Sequence, residues 1–205
     1  MQTLRIIGGK WRSRRISFIP LKGLRPTTDA GRETLFNWLA QDINNANCLD
    51  LFAGSGALSF EALSRGAKHV AAIDCKAPII STLKKNAELL SAENIDFYLA
   101  KIPQNINKIP EQYFDIVFLD PPFYKDLIKP TCKKLNNSNY LAKNAIIYIE
   151  SEKELDINSV IPKSWQILRQ KNTGRTSCYL TIFSINEIVN KKGGEHDCRY
   201  FKNNT

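Results

Sequence analysis

The sequence predicts an α/β fold: an open, mostly parallel sheet of seven strands with helices on both faces, ending in an antiparallel hairpin. Three observations predict it. Short apolar runs alternate with segments of helical period from Cys48 to Leu135, the pattern of right-handed βαβ units. Most of those runs are continuous rather than alternating, as in strands buried on both faces. A last pair, Trp165–Lys171 and Cys178–Phe183, flanks the turn residues Asn172-Thr-Gly174, which is a hairpin signal. The length, 205 residues, suits one domain with tails. We divide it into a basic arm (1–26), a main domain (27–186) and a polar tail (187–205), which is expected to be disordered.

Each element has its own signals. Leu4, Ile6, Ile16 and Phe18 have period-two spacing around Gly8-Gly9, predicting a short hairpin over Leu4–Ile19 that turns at the glycines. Pro20 to Pro26 reads as a loop. Thr27-Thr28-Asp29 offers N-cap oxygens to a helix carrying Leu35, Phe36, Leu39 and Ile43. Cys48–Phe52 is a strand broken in character by Asp50, followed by the turn Ala53-Gly-Ser-Gly56 and a helix over Ala57–Arg65 that Gly66 stops. Val70–Ile73 is a strand closing on Asp74. Pro78–Leu90 is a helix with proline in its first turn and Ile79, Leu83, Ala87 and Leu90 on its buried stripe. Ile95–Leu99, Ile116–Leu119 and Ala145–Ile149 are strands, Leu127–Leu135 is a helix, and Ile102–Ile109 is at best a short helix because of Pro103.

Composition narrows the partners. No apolar run approaches the ~18 residues of a membrane span, and the basic N-terminus has no signal-peptide core. Five scattered cysteines without C-x-x-C spacing support neither a disulfide framework nor a zinc ribbon; a reducing cytoplasm fits best. Net charge is +9, and residues 1–34 supply six of it through Arg5, Lys10, Arg12, Arg14, Arg15, Lys22, Arg25 and Arg32 against Asp29 and Glu33. A basic block beside a near-neutral body points to a polyanion, although charge runs are also common on solvated surfaces.

Three motifs carry chemistry. In Leu49-Asp-Leu-Phe-Ala-Gly-Ser-Gly-Ala57 a strand runs into two glycines and a helix, a nucleotide-cofactor turn. Gly54 and Gly56 let the backbone approach a ligand and take unusual φ values. A dinucleotide fingerprint would place its third glycine at 59, which is Ser59. Asp50 would repel a pyrophosphate and suits the methionine ammonium of S-adenosylmethionine. Asp74, twenty residues after Gly54, can accept both ribose hydroxyls of an adenosine. In Asp120-Pro121-Pro122-Phe123 the prolines fix φ and remove two donors. An acceptor side chain, a rigid acceptor carbonyl on Pro121 and an aromatic plate on Phe123 describe a holder for a planar amine. In a 3-2-1-4-5 strand order the glycine turn and the proline loop meet at the reversal, where such sheets bind ligands.

The chain resembles the class I S-adenosylmethionine-dependent methyltransferases with an amino-methylating D/N-P-P-Y/F motif. More closely, it resembles the bacterial 16S ribosomal RNA guanine-N2 methyltransferase family (RsmD-like). The carrying segments are Arg5-Ile-Ile-Gly-Gly-Lys-Trp-Arg12, Leu24-Arg-Pro-Thr-Thr-Asp29, Arg32 to Leu39, Leu49 to Leu58, Glu61 to Gly66 and Asp120 to Phe123. The resemblance spans residues 4–183 and implies a Rossmann-like fold, S-adenosylmethionine as cofactor, and 16S RNA in a partly assembled small subunit as partner. It also implies a monomer, with no membrane and no metal. It assigns Asp120, Pro121 and Phe123 to catalysis. Cofactor binding falls to Asp50, Phe52, Ala53, Gly54, Ser55, Gly56, Asp74 and Thr28. Where related enzymes meet adenine with an acid or amide this chain has Lys101, so backbone groups at Lys101 and Ile102 are expected to read the base. RNA contacts fall to Arg5, Lys10, Trp11, Arg12, Arg14, Arg15 and Arg25. Trp11 would either stack on a base or pack the hairpin onto the body.

Other readings compete. A DNA adenine-N6 methyltransferase would hold its amine the same way, but 205 residues leave little room for a separate target-recognition region. A protein glutamine methyltransferase fits the basic arm less well. A non-catalytic RNA-binding module would not need both motifs intact, and a hydride-transferring enzyme is the weakest fit. His69 reads as an edge residue, Trp38 as packing, and Glu150, Glu152 and Glu154 as a solvated strand end. His196 and Cys198 do not make a zinc site.

Overall fold

The computed structural model describes residues 1–20 and 28–184. Lys22, Arg25, Thr27 and the tail with His196 and Cys198 lie outside the described residues. The N-terminal hairpin pairs β1 (Gln2–Arg5) with β2 (Arg15–Phe18), Leu4 opposite Ile16. The turn expected at Gly8-Gly9 is instead a wide loop holding a 3-10 turn at Gly9–Trp11. The body follows with α1 (Asp29–Trp38), β3 (Asn47–Asp50), α2 (Ala57–Ser64), β4 (His69–Asp74), α3 (Ala77–Leu90) and β5 (Ile95–Leu99). It continues through β6 (Phe114–Leu119), α4 (Ile128–Asn136), β7 (Leu141–Glu152), β8 (Trp165–Thr173) and β9 (Thr176–Phe183).

The sheet has seven strands in the order β5-β4-β3-β6-β7-β9-β8, parallel from β5 to β7 and antiparallel beyond. This is the predicted architecture, and β3 pairs with both β4 and β6 at the reversal. Side chains alternate between two cores: Cys48, Val70, Ile116, Phe118 and Tyr148 face one, Leu49, Ile73, Val117, Leu119 and Ile149 the other. The helices are split unevenly. Residues of α1, α2 and α3 fill the first core, whereas α4 and the 3-10 segment Ile106–Lys108 cover the second. The irregular stretch after β5 carries the chain back to β6 beside β3, where Pro103 discourages a full helix.

The arm is part of the first core, not a separate limb. Ile6, Trp11 and Ile16 are buried in it. A charged junction holds it there. Glu61 of α2, 0% exposed, accepts from the backbone N–H groups of Ile7 and Gly8, both at 2.8 Å, and from Arg65 Nε at 2.8 Å. Arg32, 1% exposed, lies 3.5 Å from Glu61 and donates through Nη2 to Arg5 O and to Asp29. The Arg32 hydrogen bond also holds the Asp29 carboxyl below its ordinary range. Three of the segments that carry the family resemblance therefore meet at one buried carboxylate.

Candidate active site

The glycine turn and the proline loop leave the carboxyl ends of adjacent strands. Asp50 pairs with Phe118 across β3 and β6, and Leu51 N–H donates to Phe118 O at 3.1 Å. Asp120 stands two residues beyond Phe118, so both loops open on one crevice at the topological reversal.

The two glycines do different work. Gly56 has φ +79 and is the N-cap of α2; a Cβ there would meet Leu83 and Phe60 at 2.6–2.7 Å. Helix packing requires it. Gly54 has φ +49, and a Cβ there would meet only Phe52 O at 3.8 Å. Its open side is the cradle a ligand would fill. Gly54 N–H donates to Asp74 Oδ2 at 3.1 Å and Lys76 N–H to Oδ1 at 2.9 Å. Asp74 is thus fixed at the end of β4 with lone pairs left on both oxygens. Burial raises its carboxyl above the ordinary range against those hydrogen bonds.

Asp50 is buried beneath the turn. Its Oδ2 accepts from the Ser59 hydroxyl at 2.6 Å, and Oδ1 is buried without a hydrogen-bond partner among the described residues. Burial pushes the carboxyl up to about 6 despite the Ser59 bond. An orphaned carboxylate oxygen is costly unless something supplies a donor. With the open side of Gly54 and the fixed Asp74 carboxylate nearby, these acceptors fit a ligand carrying both an ammonium and an adenosine. Ser59, which sequence reasoning used only as a missing glycine, is the residue that aims Asp50.

The raised value has a checkable consequence. The folded state holds the Asp50 proton more tightly than the unfolded state, whose value is near 3.8. Ionising it therefore opposes folding above pH 6, by about 3 kcal/mol at most, and this penalty disappears as pH falls through 6 toward 4. Asp50→Asn should raise the urea midpoint of the ligand-free chain at pH 8 and change it little at pH 4, while abolishing cofactor affinity. A lower midpoint at pH 8 would contradict this account.

At the proline loop, Pro121 is buried, and Asp120, Pro122 and Phe123 are partly exposed. Tyr124, missed by sequence reasoning, is 65% exposed and meets Phe123 edge-on at 6.4 Å between ring centroids. Tyr124 (φ +57) and Asp126 (φ +52) both hold left-handed backbone, a strained conformation for a bulky residue such as Tyr124 and one typical of functional loops. The only sequence signal was a fifth residue extending the aromatic plate.

The remaining candidates fall as follows. Phe52 is half-buried, Ala53 is buried with its N–H on Ile73 O, and Ser55 accepts from Ala57 N–H at 3.4 Å, all within the turn. Thr28 caps α1, accepting from Gly31 N–H at 3.1 Å. Lys101 is exposed just past β5 with its carbonyl taken by Asn105 N–H, and the Ile102 side chain is buried in the second core.

For Trp11 the structure selects the second of its two readings. Trp11 is 6% exposed, with Lys10 Nζ 4.3 Å from its ring centroid; it packs the hairpin onto the body and offers no free face to a base. Arg14 donates to Leu89 O at the end of α3, and Trp11 N–H to Ser64 Oγ at the end of α2. These helices run back from the strand ends, so Arg14 sits at the far end of α3, about 20 Å along it, and the Trp11 loop at the far end of α2, about 12 Å along it. Arg5 is exposed and pairs with Asp29, and Arg15 is exposed on β2.

Glu150 also differs from expectation. It is 8% exposed and accepts from the Tyr148 hydroxyl at 2.9 Å, whereas Glu154 is exposed as predicted. Four cysteines are free among the described residues. His69 pairs with Asp96 at the β4–β5 edge. No helix among the described residues is long and apolar enough to cross a membrane.

The family model described as "Conserved hypothetical protein 95" matches residues 4–182. A Haemophilus influenzae protein named ribosomal RNA small subunit methyltransferase D is 42% identical over 184 residues, covering 85% of this chain and 91% of its own. Its Escherichia coli K12 namesake is 42% identical over 174 residues, covering 85% and 87%. A solved Escherichia coli chain described as a candidate methyltransferase superposes with a TM-score of 0.78 at 41% identity, covering 89% of this chain and 99% of that one.

Proposed function

We propose, from the premise that the chain belongs to the ribosomal RNA small subunit methyltransferase D family, that it methylates the exocyclic N2 of a guanine in 16S RNA. The donor is S-adenosylmethionine, the substrate a partly assembled small subunit, the working unit a monomer in the bacterial cytoplasm. The observation that carries this reading is the shared crevice: Asp50, Gly54 and Asp74 on one side, the Asp120–Phe123 loop on the other, joined where β3 meets β6.

When bound, S-adenosylmethionine supplies an electrophilic methyl group on a sulfonium. Asp50 Oδ1 would receive its ammonium, Asp74 its ribose hydroxyls, and the open side of Gly54 its chain. Asp120 and the Pro121 carbonyl accept the two N–H bonds of the guanine amine, and Phe123 stacks on the ring after the base leaves its stack. Guanine N2 is a poor nucleophile because its lone pair is delocalised. Two acceptors favour a pyramidal nitrogen and stabilise the positive charge that develops on it. Alignment at near-attack distance supplies much of the remaining acceleration. The proton that leaves N2 goes to Asp120 or to solvent.

An inert RNA-binding module gives no reason to retain a buried carboxylate with an orphaned oxygen. Calorimetry with S-adenosylmethionine separates the two: the enzyme binds and the module does not. Nucleoside mass spectrometry of 16S RNA from cells with and without this protein tests the whole reading. Loss of one N2-methylguanosine is expected; an unchanged nucleoside profile refutes it.

The arm gives a separate expected result. Replacing Arg12, Arg14 and Arg15 with alanine should weaken subunit binding and reduce the slope of log K against log salt by roughly one for each phosphate no longer neutralised. Single-turnover transfer on saturated substrate should be unchanged, because none of the three belongs to the Asp50–Gly54–Asp74 group or to the Asp120–Phe123 loop. An unchanged salt slope would place the RNA on another face.

A further inference from the structure

We infer that Glu150, oriented by Tyr148, selects guanine by accepting its N1–H beside the amine that Asp120 holds. The inference rests on the guanine-N2 reading above and adds the residue that reads the rest of the base.

Leu119 pairs with Ile149 across β6 and β7, so Asp120 and Glu150 follow side by side on neighbouring strands, about 5 Å apart along the ladder. Side-chain alternation puts both on the face of Phe118 and Tyr148, which share the first core. The row continues through Cys178 of β9, the partner of Glu150, to Lys171 of β8. Tyr148 OH donates to Glu150 Oε2 at 2.9 Å and lies 3.2 Å from Cys178 Sγ. The Tyr148 hydroxyl is held far above its ordinary range, by burial first and then by the charges of Glu150, Cys178 and Asp120. Burial, with Glu150 and Asp120 adding to it, pushes the Cys178 thiol up to about 11. One cluster therefore contains both carboxylates, Glu150 buried and Asp120 partly exposed, and the phenol stays protonated as a fixed donor to Glu150.

Two adjacent acceptors match one nucleobase edge. Guanine presents N2–H and N1–H as neighbouring donors. Adenine and cytosine each present an amine beside a ring nitrogen with a lone pair, which a carboxylate repels. The D-P-P-F loop accepts any planar amine; a second carboxylate one strand over removes that ambiguity. Burial sharpens the choice, since a wrong edge leaves polar groups unpaired where water cannot replace the bond.

The test uses small subunits rebuilt with 16S RNA in which the mapped guanine is replaced by 2-aminopurine. This base keeps the 2-amino group and turns N1 from donor to acceptor. Single-turnover transfer at saturating S-adenosylmethionine is measured on both substrates. The wild-type chain should methylate guanine about a hundredfold faster than 2-aminopurine. Glu150→Gln, whose amide can donate to N1, should slow guanine at least about tenfold and bring the two rates within about tenfold of each other. Tyr148→Phe should give an intermediate ratio. Equal wild-type rates, or a Glu150→Gln variant that keeps the wild-type ratio, overturn the inference. If Glu150→Gln fails to bind S-adenosylmethionine and so has not folded, the wild-type ratio and Tyr148→Phe decide it. Failure of the wild-type chain to methylate guanine at all defeats the underlying reading and this inference together, and is recognised because the natural substrate itself stays unmodified.

Discussion

Asp120→Ala should lower single-turnover methyl transfer about 10²- to 10³-fold while leaving S-adenosylmethionine affinity unchanged. That is the loss seen when one preorganised electrostatic partner of a transition state is removed. Asp120 belongs to the loop after β6, whereas Asp50 and Asp74 end β3 and β4 and Gly54 lies in the turn after β3, so the cofactor side should not sense the change. Asp120→Asn retains an acceptor oxygen and loses the charge; it should keep more activity than alanine. The two measurements together separate a failure of chemistry from a failure of binding. An alanine variant with near-normal turnover would remove Asp120 from the mechanism.

Glu61→Ala should be the most damaging substitution away from the crevice. Glu61 answers two backbone N–H groups of the arm and two arginines, Arg32 and Arg65. Removing it leaves the buried Arg32 with only Asp29 and the Arg5 carbonyl, both on Nη2, while its Nε and Nη1 have no hydrogen-bond partner among the described residues. Truncating one side of a buried ion pair typically costs about 3–5 kcal/mol, a large share of a domain's net stability of about 5–15 kcal/mol. The urea midpoint should fall accordingly, and limited proteolysis should cut the arm near Arg12 and Arg14 before the body. Glu61→Gln should cost less, since the amide oxygen still accepts from the backbone. A change below about 1 kcal/mol in Glu61→Ala would show that the apolar contacts of Ile6, Trp11 and Ile16 and the other arm hydrogen bonds suffice to hold it.

The legible and the hidden parts of this molecule divide by the range of the forces involved. The parallel strands were readable because residues such as Ile116–Leu119 are buried on both faces and form unbroken apolar runs. The glycine turn and the proline loop were readable because backbone conformation there depends on local residue type. Long-range partners left no local trace. Glu61 and Glu150 look like ordinary surface acids until the fold brings Arg32 and Tyr148 to them. The Gly8-Gly9 turn failed for the same reason: both residues pack on α2, with Gly8 N–H on Glu61 and Gly8 O accepting from Ser64 Oγ. Trp11 could be read two ways because its sequence neighbours are basic, yet its partners lie more than fifty residues away. The place of the arm loop at the far ends of α2 and α3 followed only from the direction in which these helices run.

The central claim is that one crevice aligns a sulfonium methyl with the amine of a flipped guanine. Its most direct test combines purified protein, methyl-labelled S-adenosylmethionine and small subunits lacking the modification, followed by digestion of the RNA to nucleosides. The account predicts label on N2-methylguanosine at a single position, lost with Asp120→Ala. Label on N6-methyladenosine or on a ribosomal protein, or no label at all, would contradict it.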